Sequence, residues 1–268
     1  AFLIWAYTPV PAFESVAVDA PAPDYWPTHG WKYSTPDEQG MNSETLAEMI
    51  TFYNDAAAEN PELYIDSLTV IRNGYIVAEF YNNPLYPRDE MHIVHSVTKS
   101  IVSTLIGIAI DRGFIDSVDV PLVDIFAGRE IQSLDERKRA LTIRHLLSMT
   151  TGLHSRDSYI YGYEGLFALQ HSDDWLQFAL DLPMAATPGE RFDYSNISTF
   201  VLSTVIMETT GMDTLAFARE YVFGPLGITD VKWEWNSAGQ AIAWARMWLK
   251  PNDMAKIGLL YLQHGQWD

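Results

Sequence analysis

Apolar and polar positions along this chain repeat with two different periods. In NSETLAEMITFYNDAAAE, Leu46, Met49, Ile50 and Tyr53 recur at helical spacing, which predicts an amphipathic helix capped by Asn42 or Ser43. The period then changes. SLTVIRNGYIVAEFY holds two β-rich runs around Asn73-Gly74, a pair that accepts positive φ angles, and this predicts a hairpin. Residues 97–112 are apolar on almost every side and predict a central, buried helix ended by Gly113. Further on, TIRHLLSMTTGL reads as a helix ended by Gly152, and DDWLQFALDLP as one capped by Asp173 or Asp174 and stopped before Pro183. STFVLSTVIMETTG reads as a second strongly apolar helix, DTLAFAREYVFGPLGI as an amphipathic one, and PNDMAKIGLLYLQHG as a helix opened by Pro251 and Asn252. Trp233 and Trp235 alternate as in a short strand, but no strand pattern follows residue 240. Residues 8–36 are proline-rich with little periodicity and read as an extended arm or linker.

This inventory is lopsided, because two strands come early and helices dominate afterwards. A two-stranded sheet is marginal by itself, so something is expected to complete it. The 268 residues suffice for one large domain or two interleaved ones. With 48% hydrophobic and 19% charged residues the composition is globular. The net charge of −18 repels phosphate backbones and argues against a nucleic-acid partner, leaving a small neutral, zwitterionic or cationic ligand easier to accept. The absence of cysteine excludes disulfides, thiolate catalysis and Cys-ligated zinc. It also fits a periplasmic, secreted or membrane-anchored location. The opening AFLIWAYTPVPAF is too short an apolar run to span a bilayer. It is expected to be either the remnant of a signal peptide or upstream membrane anchor, or an apolar arm packed on the domain.

HSVTKS, residues 95–100, carries the candidate chemistry. A serine hydroxyl needs a base to act as a nucleophile. Residues three apart on a helix share a face, with Cβ atoms about 5–6 Å apart, so Lys99 can set its amine against the hydroxyl of Ser96. Burial and the helix dipole both favour the neutral amine, which can accept a proton. The same pair also suits an ordinary polar start to a helix. What favours chemistry is that Lys99 leads directly into the most apolar helix of the chain, where a solvated lysine is out of place. PGERFDYSN offers two partners, Tyr194 as a proton shuttle and the amide of Asn196, which can donate to a carbonyl and accept from an amine. YNN at 81–83 fits the same short pattern but reads as the end of the second hairpin strand.

Taken together, HSVTKS, LTIRHLLSMTTGL, PGERFDYSN and DMAKIGLLYL resemble, in order, the serine beta-lactamase-related hydrolases. That group includes class C beta-lactamases, D-alanyl-D-alanine carboxypeptidases, related esterases and 6-aminohexanoate-dimer hydrolases. The likeness runs from about residue 30 to the end. It implies an α+β fold of the beta-lactamase/transpeptidase type: an antiparallel sheet flanked by helices, an all-helical domain, and a site in the cleft between them. The corresponding division is an arm at 1–36, an α/β domain from 37–112 and 197–268, and a mainly helical domain at 113–196. The resemblance further implies that Ser96 is acylated, Lys99 activates it, Tyr194 moves the proton and Asn196 orients both Lys99 and the substrate. The implied substrate is a small ester, amide or beta-lactam-like molecule, with no cofactor. The alternative is a penicillin-binding-like sensor or scaffold that keeps the fold without turnover. The family's third motif, Lys or His, any residue, then Gly, is not found. KIG at 256–258 matches the letters but falls in a helical stretch. The chain is therefore expected to be a fragment lacking its C-terminal strands.

Other residues carry less. His92 and His95 are spaced to share a helical face, as zinc ligands can, but no third ligand is evident, and no metal site is expected. His145 reads as a satisfied helix histidine. His154 and Asp157 follow Gly152 in a loop expected to reach the cleft, with substrate contact (His154) or plain solvation as the two readings. Tyr159, Tyr161 and Tyr163 crowd the same loop and are read as an aromatic substrate wall, led by Tyr161, or as packing.

Overall fold

The computed structural model describes residues 21–268 except 61, 63 and 64. The apolar opening segment, where an anchor remnant or packed arm is expected, lies outside the described residues. In chain order the elements are helix α1 (Ser43–Glu59), strands β1 (Ser67–Arg72), β2 (Tyr75–Tyr81) and β3 (His92–Ile93), then helix α2 (Thr98–Asp111). Short helices follow: α3 (Leu122–Ile125), α4 (Glu136–Arg139), α5 (Ile143–Leu147), α6 (Glu164–Gln170) and α7 (Trp175–Asp181). The chain continues through α8 (Asn196–Thr210), α9 (Thr214–Ala218), β4 (Lys232–Trp233), β5 (Met247–Leu249) and α10 (Pro251–Leu262).

The hairpin forms as its turn residues demand. Asn73 and Gly74 take φ of 52° and 83°, and β1 pairs antiparallel with β2 from Ser67↔Tyr81 to Arg72↔Tyr75. The expectation that no strand follows residue 240 is corrected, since β5 lies between β3 and β4 in a second antiparallel sheet of order β3-β5-β4. Met-Trp-Leu is too short to show alternation, and its pairing comes from neighbours distant in sequence. The helix predicted over 143–152 is also shorter than expected. It stops at Leu147, and Met149, at φ 55°, turns the chain out of it. Gly152 serves a different purpose. At φ 71° it lies where an added Cβ would sit 2.4 Å from the Ala186 carbonyl oxygen, and its own carbonyl accepts from the amides of Ala185 and Ala186.

Residues 21–36 are not a free linker. Tyr33 bridges Ile76 in parallel, the Trp31 indole donates to the Asn252 carbonyl at 2.9 Å, and Trp26 packs on Trp267. Two helices form the centre. α2 buries Ile101, Val102, Leu105, Ile106 and Ala109, while every residue of α8 from Asn196 to Ile206 is buried. α8 packs against α2 on one side and against α5 and α7 on another. Burying each large aliphatic side chain contributes about 1.5–3 kcal/mol, so this helix pair is the rigid base on which the site stands. Among the described residues no helix is long and apolar enough to cross a membrane.

Candidate active site

The short β3–β5 ladder (His92↔Leu249, Ile93↔Trp248) and the Val94 amide bonded to the Met247 carbonyl fix the chain immediately before Ser96. His95 then takes a left-handed φ of 40°, uncommon for a residue with a side chain. The chain turns sharply through a 3-10 turn, His95–Val97, into α2. Ser96 sits in that exposed turn and Lys99 in the first turn of α2, with the Lys99 ammonium donating to Ser96 Oγ at 3.2 Å. From the other side of the cleft the Tyr194 hydroxyl donates to the same oxygen at 2.9 Å. Lys99 Nζ lies 5.0 Å from the centre of the Tyr194 ring. The expected trio is therefore assembled around one oxygen.

Lys99 has two further acceptors, Asn196 Oδ1 and the backbone carbonyl of Trp244, each at 2.8 Å. Asn196 is the first residue of α8, whose N-terminus is capped by Ser195 Oγ accepting from the Ser198 amide at 3.0 Å. Burial of the amine holds its pKa below the ordinary lysine value, against the opposing effects of Tyr194 and Asp157. Trp244 is itself buried, clustered with Trp175 and Phe200.

Asp157 corrects the expectation of a solvated loop. It is 1% exposed. Its carboxylate accepts from Asn196 Nδ2 at 2.9 Å, from the Ile197 amide at 2.7 Å and from Ser195 Oγ at 3.3 Å. Burial prevails and holds its pKa above the ordinary carboxylate value, against the lowering effect of these bonds.

The cleft around Ser96 has a volume of about 540 Å³ and is lined by Ser158, Ile160, Tyr163, Phe192, Asp193, Tyr194 and Asn196. Ile160 and Phe192 are exposed at its rim. Neither His154 nor Tyr161 lines it. The His154 amide is bonded to the Pro183 carbonyl beside the Leu153↔Met184 bridge, and its side chain faces solvent. The Tyr161 ring is instead covered by the Arg156 guanidinium, at 5.8 Å. Tyr163, two residues on, lines the cleft in place of Tyr161. The helical face proposed for His92 and His95 does not exist, because His92 lies in β3, stacked on Tyr86, and His95 lies in the turn. No group of three metal-ligating side chains occurs among the described residues. His145 is used locally, its Nδ1 accepting from the Thr142 amide at the start of α5. Lys256 of the KIG letters lies in α10, bonded to the Gly227 carbonyl and to Asp253.

The family model described as Beta-lactamase matches residues 63–263, which covers the whole of this constellation. The chain belongs to the beta-lactamase family. Within that family's reach, the 6-aminohexanoate-dimer hydrolase of Paenarthrobacter ureafaciens is 22% identical over 244 residues, covering 87% of this chain and 60% of that protein. The monacolin J acid methylbutanoyltransferase of Aspergillus terreus is 28% identical over 154 residues, covering 51% of this chain and 36% of the transferase. The chain thus spans 60% and 36% of the lengths of these relatives. Among solved structures, the octameric penicillin-binding protein homologue from Pyrococcus abyssi superposes with a TM-score of 0.63 at 18% identity, over 82% of this chain and 57% of that one. The fold is accordingly that of the beta-lactamase family, α+β with helices around antiparallel sheets. Among the described residues its strands form two small sheets and not one.

Proposed function

We propose that this protein is a serine acyl hydrolase acting on a small ester or amide through an acyl-serine intermediate. The observation that carries the reading is the convergence of Lys99 Nζ and Tyr194 OH on Ser96 Oγ, at 3.2 and 2.9 Å. In the first half-reaction Ser96 Oγ attacks the carbonyl carbon. Its proton passes to the neutral amine of Lys99 and on through the Tyr194 hydroxyl to the departing alcohol or amine. In the second, water attacks acyl-Ser96 and gives up a proton by the same route in reverse, releasing the acid and restoring the serine. Asn196 holds Lys99 in place. The exposed apolar side chains Ile160 and Phe192 suit an uncharged, apolar group on the substrate, and the strongly acidic chain disfavours polyanions.

The names of the two curated relatives, one a 6-aminohexanoate-dimer hydrolase and the other a monacolin J acid methylbutanoyltransferase, support acyl transfer to or from an acyl-enzyme. The test is reaction of the protein with a fluorophosphonate, followed by mass mapping of the adduct, together with turnover of p-nitrophenyl esters of graded acyl length. The expected result is one adduct, on Ser96, and turnover that Ser96→Ala abolishes. An adduct elsewhere, or equal turnover by Ser96→Ala, would refute the assignment.

A further inference from the structure

Resting on the serine-hydrolase reading, we infer that Asp157 is a positioning residue that dictates which end of the Asn196 amide faces Lys99. The primary amide of asparagine has one accepting end and one donating end, and nothing intrinsic to the residue chooses between them. The choice matters here, because Lys99 needs an acceptor at the point where Oδ1 lies, 2.8 Å away. A donor in that place would repel the ammonium form and leave the amine free to swing away from Ser96.

The other end of the amide is set by Asp157. Its Oδ1 accepts from Asn196 Nδ2 at 2.9 Å, while its Oδ2 is occupied by the Ile197 amide and Ser195 Oγ. An ionised carboxylate only accepts. Facing it, Asn196 can present only its –NH2, which leaves Oδ1 directed at Lys99. The carboxylate cannot rotate out of the arrangement, because three donors from three successive residues at the start of α8 hold both of its oxygens, and it is 1% exposed. Position 157 thus lies behind the site, not in it, and reaches Ser96 through three hydrogen bonds in series, Asp157 to Asn196, Asn196 to Lys99 and Lys99 to Ser96.

Asp157→Asn separates this role from simple anchoring of α8. Its side-chain oxygen can still accept from the Ile197 amide, but its –NH2 then meets that of Asn196, two donors face to face. Asn196 must turn over and present –NH2 to Lys99. Two charged or titratable groups act on Lys99, Tyr194 from the strip before α8 and Asp157 from the loop behind it, and both favour the protonated amine. Removing the carboxylate charge therefore moves the Lys99 titration to lower pH while the misplaced amide lowers the rate.

The experiment measures the rate at which a fluorophosphonate labels Ser96, as a function of pH, in the wild type, Asp157→Asn, Asn196→Ala and the double variant, with thermal unfolding of each. Labelling by Asp157→Asn is expected to be slower by about tenfold or more at its plateau, the size of one misdirected charge-assisted hydrogen bond, with its acid limb displaced to lower pH. Asn196→Ala is expected to be slowed as well, and the double variant no slower than the slower single one, since both changes break one chain of contacts. A folded Asp157→Asn that labels at the wild-type rate, or slowing in the double variant equal to the product of the single effects, would overturn the inference while leaving the nucleophile assignment standing. A wild type that never labels on Ser96 would remove that assignment and this one with it. If Asp157→Asn does not fold, Asp157→Ser, small enough for the same space, takes its place with the same expected and contrary outcomes.

Discussion

At Lys99, burial and bonding act on the same amine in opposite directions, and burial prevails. The pKa lies below the ordinary lysine value, so the neutral amine, the form able to take the Ser96 proton, gains population as pH rises through that lowered value. The rate of Ser96 acylation is therefore expected to rise with pH and to reach half its plateau below the ordinary lysine range. A rate that climbs only at or above that range would show that Lys99 is not the group being titrated. Lys99→Arg, which keeps the charge but cannot lose its proton, is expected to abolish the limb together with the activity. Much of this small scale is legible in the residue types. Ser96, Lys99, Tyr194 and Asn196 carry distinctive side-chain chemistry in short, ordered motifs. The Trp244 carbonyl that holds Lys99 is not legible, since every residue has the same backbone oxygen. The role of Asp157 is also hidden, because a carboxylate in a loop reads as solvated until the loop is seen folded against α8.

Among the elements, α2 and α8 follow from their long apolar runs, and the hairpin follows from its turn residues. The misread pieces are those whose ends are set by contacts from elsewhere. α5 stops at Leu147, because Met149 at φ 55° turns the chain out of the helix, and Gly152, which marks its end in the sequence pattern, serves the close approach to Ala186. Gly152→Ala would combine a left-handed φ of 71° with a Cβ 2.4 Å from a carbonyl oxygen. It is expected to cost about 1–3 kcal/mol in urea unfolding. An unchanged midpoint would mean that the chain segments at Gly152 and Ala186 separate freely. β5 is invisible for the converse reason, being only three residues whose partners lie far apart in the chain.

The whole molecule ties its core to its chemistry. Phe200 of α8 is fully buried and packs edge-on against Trp175 and Trp244, and the carbonyl of Trp244 is bonded to Lys99. Phe200→Ala is expected to lower stability by about 3–5 kcal/mol. Below its own melting temperature it is also expected to label more slowly at Ser96 than the wild type. A large fall in stability with unchanged labelling would show that the Trp244 loop is held independently of the core.

The sequence alone determined the candidate reacting groups, the two central helices, the hairpin and the family, because each of these is written in side-chain chemistry or in periods a few residues long. Tertiary structure alone decided the left-handed turn at His95, the three-stranded sheet that fixes it, the carbonyl at Trp244 and the burial of Asp157. Each of those depends on segments that meet only when the chain closes on itself, and hydrogen bonds between distant backbone groups leave no trace in local sequence pattern.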